Sequence, residues 1–255
     1  MRPKDEAGDG PSPCKDRHDD ARLTMTNDTQ RENKPGKLLL LRHGQTLWSQ
    51  SGQYTGRTDI PLTEEGRRQA QEAGRRLALL FPDDSFPISH VFTSPLRRAH
   101  VTAQLAGFGD CQVESDLAEF DYGPAEGRTR GQVAAALGQD DWDVWSQGPL
   151  TLPASLQGER EEEIPGYGPV TVVNGVGESA EMAADRTGEV IERALPYLEA
   201  GQNVLCVAHA HILRLLTTRW VGLQPADARI FELDTAHFAL LSWHHANRVI
   251  ERWNF

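Results

Sequence analysis

Apolar residues in this chain come in short runs separated by amphipathic stretches. Leu38-Leu39-Leu40-Leu41 follows a polar segment and Pro35-Gly36. It reads as a short strand buried on both faces, as the centre of a parallel sheet requires. The run stops at Arg42-His43-Gly44, which puts a cation and an imidazole just past the strand's carboxyl end. That is the edge at which open α/β sheets bind ligands, and the tripeptide suggests an anion site holding a nucleophile or base. Further on, Thr63 is placed to cap a helix whose first turn carries Glu64 and Glu65. Ala70, Ala73, Leu77 and Leu80 form its expected buried stripe, and Arg67, Arg68, Arg75 and Arg76 are expected to face water. Residues 46–59, between strand and helix, read as a polar loop.

The same alternation continues. Residues 90–93 form a second expected strand, ending at Ser94-Pro95. Ser94 suits an N-cap and Pro95 the first position of a helix running from Leu96 to about Ala106, with Arg98 in its first turn. Residues 178–198 predict a helix with Ala183, Val190, Ala194 and Leu198 inward, closed by Gly201. It feeds the apolar strand Asn203–Ala208, then His209-Ala210-His211 and a helix through Leu213, Leu216 and Trp220. Residues 237–243 and 248–253 read as two more strands, antiparallel at an edge. The expected fold is a three-layer α/β/α sandwich with a mostly parallel central sheet. Three strands then end in Arg42-His43, Ser94-Pro95 and His209, so these residues can converge on one edge.

Two segments depart from the pattern. Residues 1–35 are charged and rich in Gly and Pro, and are expected to be a disordered tail ahead of one domain, residues 36–255. Residues 148–177 show no clear period and read as a long inserted loop, either a lid or a disordered segment, with its place just before Gly177-Glu178-Ser179 favouring the lid.

Charge and composition narrow the function. A net charge of −11, from 26 basic against 37 acidic residues, argues against nucleic-acid or membrane-surface binding. An acidic protein that binds phosphate must gather its arginines locally, as at Arg42 and Arg97-Arg98. No apolar run is long enough to span a bilayer, and residues 1–31 lack the apolar core of a signal peptide. Cys14, Cys111 and Cys206 are scattered, which fits a reducing, cytoplasmic setting better than a disulfide framework. The sequence fixes no oligomeric state.

The motifs Leu41-Arg42-His43-Gly44-Gln45-Thr46, Thr93-Ser94-Pro95-Leu96-Arg97-Arg98-Ala99, Leu117-Ala118-Glu119-Phe120-Asp121-Tyr122-Gly123 with Glu126-Gly127, and Val207-Ala208-His209 resemble, in order, the four signatures of the histidine phosphatase superfamily, the phosphoglycerate mutase-like family. The resemblance spans roughly residues 37–255. It implies that His43 attacks phosphorus and carries a phosphoryl group, that Arg42 and Arg98 clamp the phosphoryl oxygens, and that His209 hydrogen-bonds them. It implies that Glu119 is the general acid, for which partial burial beside Phe120 and Tyr122 is expected. Arg97 falls at a variable motif position and is expected to face solvent. Gln45, Ser49, Thr55, Gly56, Tyr122, Ala210 and His211 fall where the family contacts substrate. The chemistry is sound for these residue types: neutral imidazole is a good nucleophile near neutral pH, and guanidinium forks match the spread charge of a phosphoryl group in transfer.

Within that family the fork lies between hydrolysis and phosphoryl shuttling on phosphoglycerate. The mutase pattern places an Arg directly after the acid Glu and adds a paired-arginine clamp. Here Phe120 follows Glu119, and between Gly131 and Val176 the only arginine is Arg160. That favours a phosphatase acting on small phosphorylated metabolites, sugar phosphates above all, over a mutase or a non-catalytic phosphate-binding module. The stretch from Trp48 to Asp59, and His209-Ala210-His211, resemble the branch holding sedoheptulose-bisphosphatase-like and broad acid phosphatases. His209-x-His211 has no acidic or Cys partner motif nearby, so no metal or other cofactor is expected.

Overall fold

A computed structural model describes residues 34–82 and 85–255, so the expected tail lies almost wholly outside the described residues. Strand β1 (Leu38–Arg42) pairs in parallel with β6 (Asn203–Ala208) and antiparallel with β7 (Phe238–His244). On the other side of β6 lies β2 (Ile88–Thr93), followed by the two-residue β3 (Gln112–Val113), both parallel. β8 (Asn247–Trp253) completes the sheet as the antiparallel partner of β7. The order is β3-β2-β6-β1-β7-β8, mostly parallel, with β1 and β6 at its centre.

The leucine run explains the layering. Side chains alternate across a strand, so Leu38 and Leu40 join one core cluster with residues of α5 (Ala180–Glu199) and α6 (Ala210–Val221). Leu39 and Leu41 join the opposite cluster with α2 (Glu64–Leu80) and α3 (Arg97–Leu105). All four leucines are fully buried. The chain therefore folds as the expected α/β/α sandwich.

Local details differ from expectation. Leu80 ends α2 exposed, one turn beyond the last inward position, and Arg76 is half-buried, donating to the carbonyl of Ala236. The supposed loop after β1 contains a short helix, α1 (Leu47–Ser51), closed at its start by a reciprocal Thr46–Ser49 capping box that the polar composition hid. Leu96, not Ser94, stands at the N-cap of α3 and makes no side-chain cap; the Ser94 hydroxyl accepts from the Leu96 N–H at 3.3 Å, ahead of the helix, and faces His209. A further helix, α4 (Arg130–Leu137), also begins with a capping box. Where helix and sheet layers meet near β1, backbone approaches backbone. A Cβ on Gly44 would stand 2.2 Å from the carbonyl oxygen of Gly66, and one on Gly66 2.1 Å from that of Gln45.

The largest correction concerns residues 148–177. They contain a regular antiparallel hairpin, β4 (Gly158–Ile164) and β5 (Gly168–Asn174). Its inward positions on β4 are Arg160, Glu162 and Ile164, so two of the three are charged and the strand period is invisible as hydrophobicity. Ile164 and Val172 pack with Trp48 and Ile60 in a small separate cluster, and the hairpin thereby lies against α1.

Candidate active site

The parallel strands deliver their C-terminal residues to one place. His43 follows β1, Arg98 stands in the first turn of the helix after β2, and His209 follows β6. The rings of His43 and His209 meet edge to face with centroids 5.0 Å apart. His43 lies 2.7 Å through Nδ1 from the carbonyl oxygen of its neighbour Gly44. A carbonyl only accepts, so Nδ1 carries the proton and Nε2 keeps its lone pair. Burial, reinforced by the nearby Arg98 and Arg42 charges, holds the His43 imidazole well below its ordinary pKa and so neutral.

The two arginines are not equivalent. Arg98 is fully buried and spends its fork on the protein: Nε donates to His209 Nδ1 at 3.1 Å, Nη1 to the carbonyl of Thr58, and Nη2 to those of Thr55 and Gly56. Those peptides are themselves fixed from behind. The buried Glu126 carboxylate accepts from the backbone N–H groups of Gly56 and Thr58 at 2.9–3.0 Å. Arg42 donates from Nη1 to the carbonyl of Leu233, while its buried Nε has no partner among the described residues. Arg42 is thus the cation with donors to offer, and Arg98 chiefly supplies charge.

With Nδ1 accepting from Arg98, His209 turns Nε2–H toward the Ser94 hydroxyl at 2.7 Å, so both its nitrogens are engaged within the protein. His211 is aimed elsewhere. Its Nδ1 shares a 2.5 Å hydrogen bond with the Tyr122 hydroxyl, and its ring lies against Trp145. The two histidines therefore do not converge as a chelating pair, and among the described residues no cluster suited to a metal ion forms.

Glu119 is 4% exposed. Its Oε1 accepts from the N–H groups of Phe120 and Ile212 at 2.8 and 3.0 Å, and Oε2 from that of His211 at 3.3 Å. The carboxyl thus sits at the N-terminus of α6. Burial raises its pKa, and the Arg98 charge and the three backbone donors pull it back only in part.

A solvent-open cleft of about 170 Å³ reaches part of the cluster. It is lined by Arg42, His43, Glu119, Ser49, Thr55, Tyr122, Ala210 and His211, and also by Gly52, Gln53 and Tyr54. Four of the expected residues are not in its lining, among them Arg98 and His209, which are fully buried and bonded within the protein. Gln45 turns its amide oxygen to the Thr63 hydroxyl, and Gly56 is buried in the wall between Arg98 and Glu126. Gln53 and Tyr54 also line the cleft and were not anticipated from the sequence; of the residues between Ser49 and Thr55, Gln50 and Ser51 turn away from it, so position along the chain alone could not single them out. Arg97 is exposed, as expected, and donates to the Tyr167 hydroxyl at the hairpin tip.

Comparison with known proteins bears on this arrangement. The profile of the histidine phosphatase superfamily (branch 1) matches residues 38–255. An acid phosphatase of Mycobacterium tuberculosis is 38% identical over 214 residues, covering 84% of this chain and 90% of that protein. A 2,3-bisphosphoglycerate-dependent phosphoglycerate mutase of Gloeobacter violaceus is 32% identical over 204 residues, covering 77% and 81%. The solved structure of a Mycobacterium tuberculosis open reading frame superposes with a TM-score of 0.69 at 36% identity, covering 86% of this chain and 97% of that one.

Proposed function

The chain belongs to branch 1 of the histidine phosphatase superfamily, and from that premise we propose that it hydrolyses small phosphorylated metabolites, sugar phosphates foremost, through a phosphohistidine on His43. The observation that carries this is the neutral His43 imidazole with Nε2 unprotonated, buried between two guanidinium charges and facing the same cleft as a protonatable Glu119. Nε2 attacks phosphorus, the bond to the leaving oxygen breaks, and Glu119 gives that oxygen its proton. Water then attacks the phosphohistidine while Glu119 takes the water's proton. Phosphate leaves and Nε2 recovers its lone pair. Arg42 holds the phosphoryl oxygens with its uncommitted donors, and Arg98 with His209 supplies fixed positive charge and a tethered ring beside them.

The lining favours an uncharged remainder on the substrate. Among the described residues Arg42 is the only arginine or lysine lining the cleft, and Ser49, Gln53, Thr55, Tyr54, Tyr122 and His211 offer hydroxyls, amides and aromatic faces. A sugar monophosphate fits that chemistry. Phosphoryl shuttling has the mutase relative in its favour, but a doubly phosphorylated, carboxylated intermediate would want a second cation at this wall.

The test is phosphate release from sugar phosphates, phosphoglycerates and an aryl phosphate, wild type beside His43→Ala. Label transferred from radioactive substrate is expected on wild-type protein, stable to alkali and lost in acid as a phosphoimidazole is. Activity in His43→Ala equal to wild type, or label of another stability, would overturn the mechanism. Interconversion of the phosphoglycerates without release would put the mutase reading first.

A further inference from the structure

The segment from Asp116 to Asp121, which carries Glu119, is not part of any strand or long helix, yet the reaction above demands that its carboxyl stay fixed. What fixes it comes from a different part of the chain. Arg186, two turns into α5, donates from Nη1 to the carbonyls of Asp116 at 2.7 Å and Ala118 at 2.6 Å, and from Nη2 to that of Glu119 itself at 3.2 Å. The same guanidinium pairs through both Nε and Nη2 with Glu178, at 3.0 and 2.6 Å, in a fork-to-fork geometry. Glu178 then reaches the far side of the loop. Its Oε1 accepts from the N–H of Asp121 at 2.8 Å, and its own N–H donates to the Asp121 carbonyl at 3.0 Å. Both side chains are largely buried, Arg186 at 15% and Glu178 at 8% exposure.

We propose that the Glu178–Arg186 pair is a positioning device for the general acid, gripping the backbone on both sides of Glu119 so that its carboxyl is held between the N-terminus of α6 and the cleft. The inference rests on the reading of Glu119 given above. Neither residue lines the cleft, so neither is catalytic. Arg suits the task and Lys does not, because one planar fork serves three carbonyls and a carboxylate at once.

A merely structural role and a positioning role differ in what they do to leaving groups. p-Nitrophenolate departs without help, whereas the alkoxide of glycerol 1-phosphate needs a proton as it leaves. The ratio of kcat/KM for these two substrates therefore reads proton delivery in the step that breaks the ester bond. Arg186→Lys is expected to lower kcat/KM for glycerol 1-phosphate by about 10- to 100-fold, within the range that a placed general acid supplies, and to leave p-nitrophenyl phosphate within a few-fold of wild type. Glu119→Gln should show the same bias more strongly. Glu178→Gln, which keeps shape and an acceptor, should show it more weakly, and it reports if Arg186→Lys does not fold. An equal loss on both substrates in the folded Arg186 or Glu178 variants, or no loss, overturns the positioning role while a biased Glu119→Gln leaves Glu119 in place. An unbiased Glu119→Gln overturns the assignment of Glu119, and the positioning role with it.

Discussion

At His43 a single backbone contact decides which nitrogen can act. Because Gly44 holds Nδ1–H, Nε2 keeps the free lone pair that the proposed reaction requires of a nucleophile, and burial with two guanidinium neighbours pushes the pKa of the ring well below the ordinary imidazole value of about 6.5. Glu119 is displaced the opposite way, keeping its proton above the ordinary carboxyl range. Lowering one pKa and raising the other widens the interval in which His43 is neutral and Glu119 protonated. The expected kcat/KM profile is a bell weighted to the acid side of neutrality. Its acid limb belongs to His43 and its alkaline limb to Glu119. Glu119→Gln should therefore lose the alkaline limb while keeping the acid one, and a profile unchanged in shape would assign that limb to another group. The sequence showed which residue types assemble here through their motifs. It could not show how Arg42 and Arg98 divide their work, because that depends on carbonyls at Thr55, Gly56, Thr58 and Leu233 that any residue could supply.

Among the elements, the β4–β5 hairpin acts as a buttress for one wall of the cleft. Glu162 Oε1 accepts from Trp48 Nε1 at 3.1 Å and from Gln53 Nε2 at 2.9 Å, and Arg160 donates to the carbonyl of Glu126 at 3.0 Å. α1 and the turn after it, which carry Ser49, Gln53, Tyr54 and Thr55 to the cleft, are thus held from outside. Glu162→Ala should destabilise the fold by about 1–3 kcal/mol, since Trp48 is 1% exposed and would lose its acceptor. It should raise KM severalfold with little change in kcat, and Glu162→Gln should restore most of both. Urea midpoints and steady-state kinetics on a sugar phosphate would check this. An unaltered KM would mean that the wall holds without the hairpin. The main strands and helices were legible because their burial follows the simple periods of two and 3.6. The hairpin was not, because its inward positions carry Arg160 and Glu162, whose partners are far away in sequence.

For the molecule as a whole, gathering so many titratable groups in one buried place ties stability to pH. His43, His209 and His211 all have pKa values well below the ordinary imidazole value, chiefly from burial. As pH falls through about 6.5 the unfolded chain takes up protons that the folded one refuses, so stability drops. Glu119 and Glu126 are raised and oppose this, since above the ordinary carboxyl value the folded chain keeps protons that the unfolded one releases. With three strongly shifted imidazoles against two carboxyls, the urea midpoint is expected to be lower at pH 5.5 than at pH 7.5. His211→Phe should flatten the dependence, and a midpoint rising on acidification would mean that the carboxyls dominate. The three-layer arrangement could be read from the leucine run and the strand–helix alternation. This coupling could not, since it arises only where separate strands end together.

The sheet and helix layers also meet at Gly44 and Gly66, each already without a side chain and each facing the other's stretch of backbone. Elsewhere in a core, a bulkier residue on one side can be accommodated by trimming its neighbour. Here there is nothing left to trim. No second change at the partner glycine can offset a methyl group added to either, so the junction that seats the His43 loop against α2 can be altered only by moving main chain. A mutational path that reshapes this site is open at the cleft lining, at Ser49, from Gly52 to Thr55 and at Tyr122, Ala210 and His211, and closed at that junction.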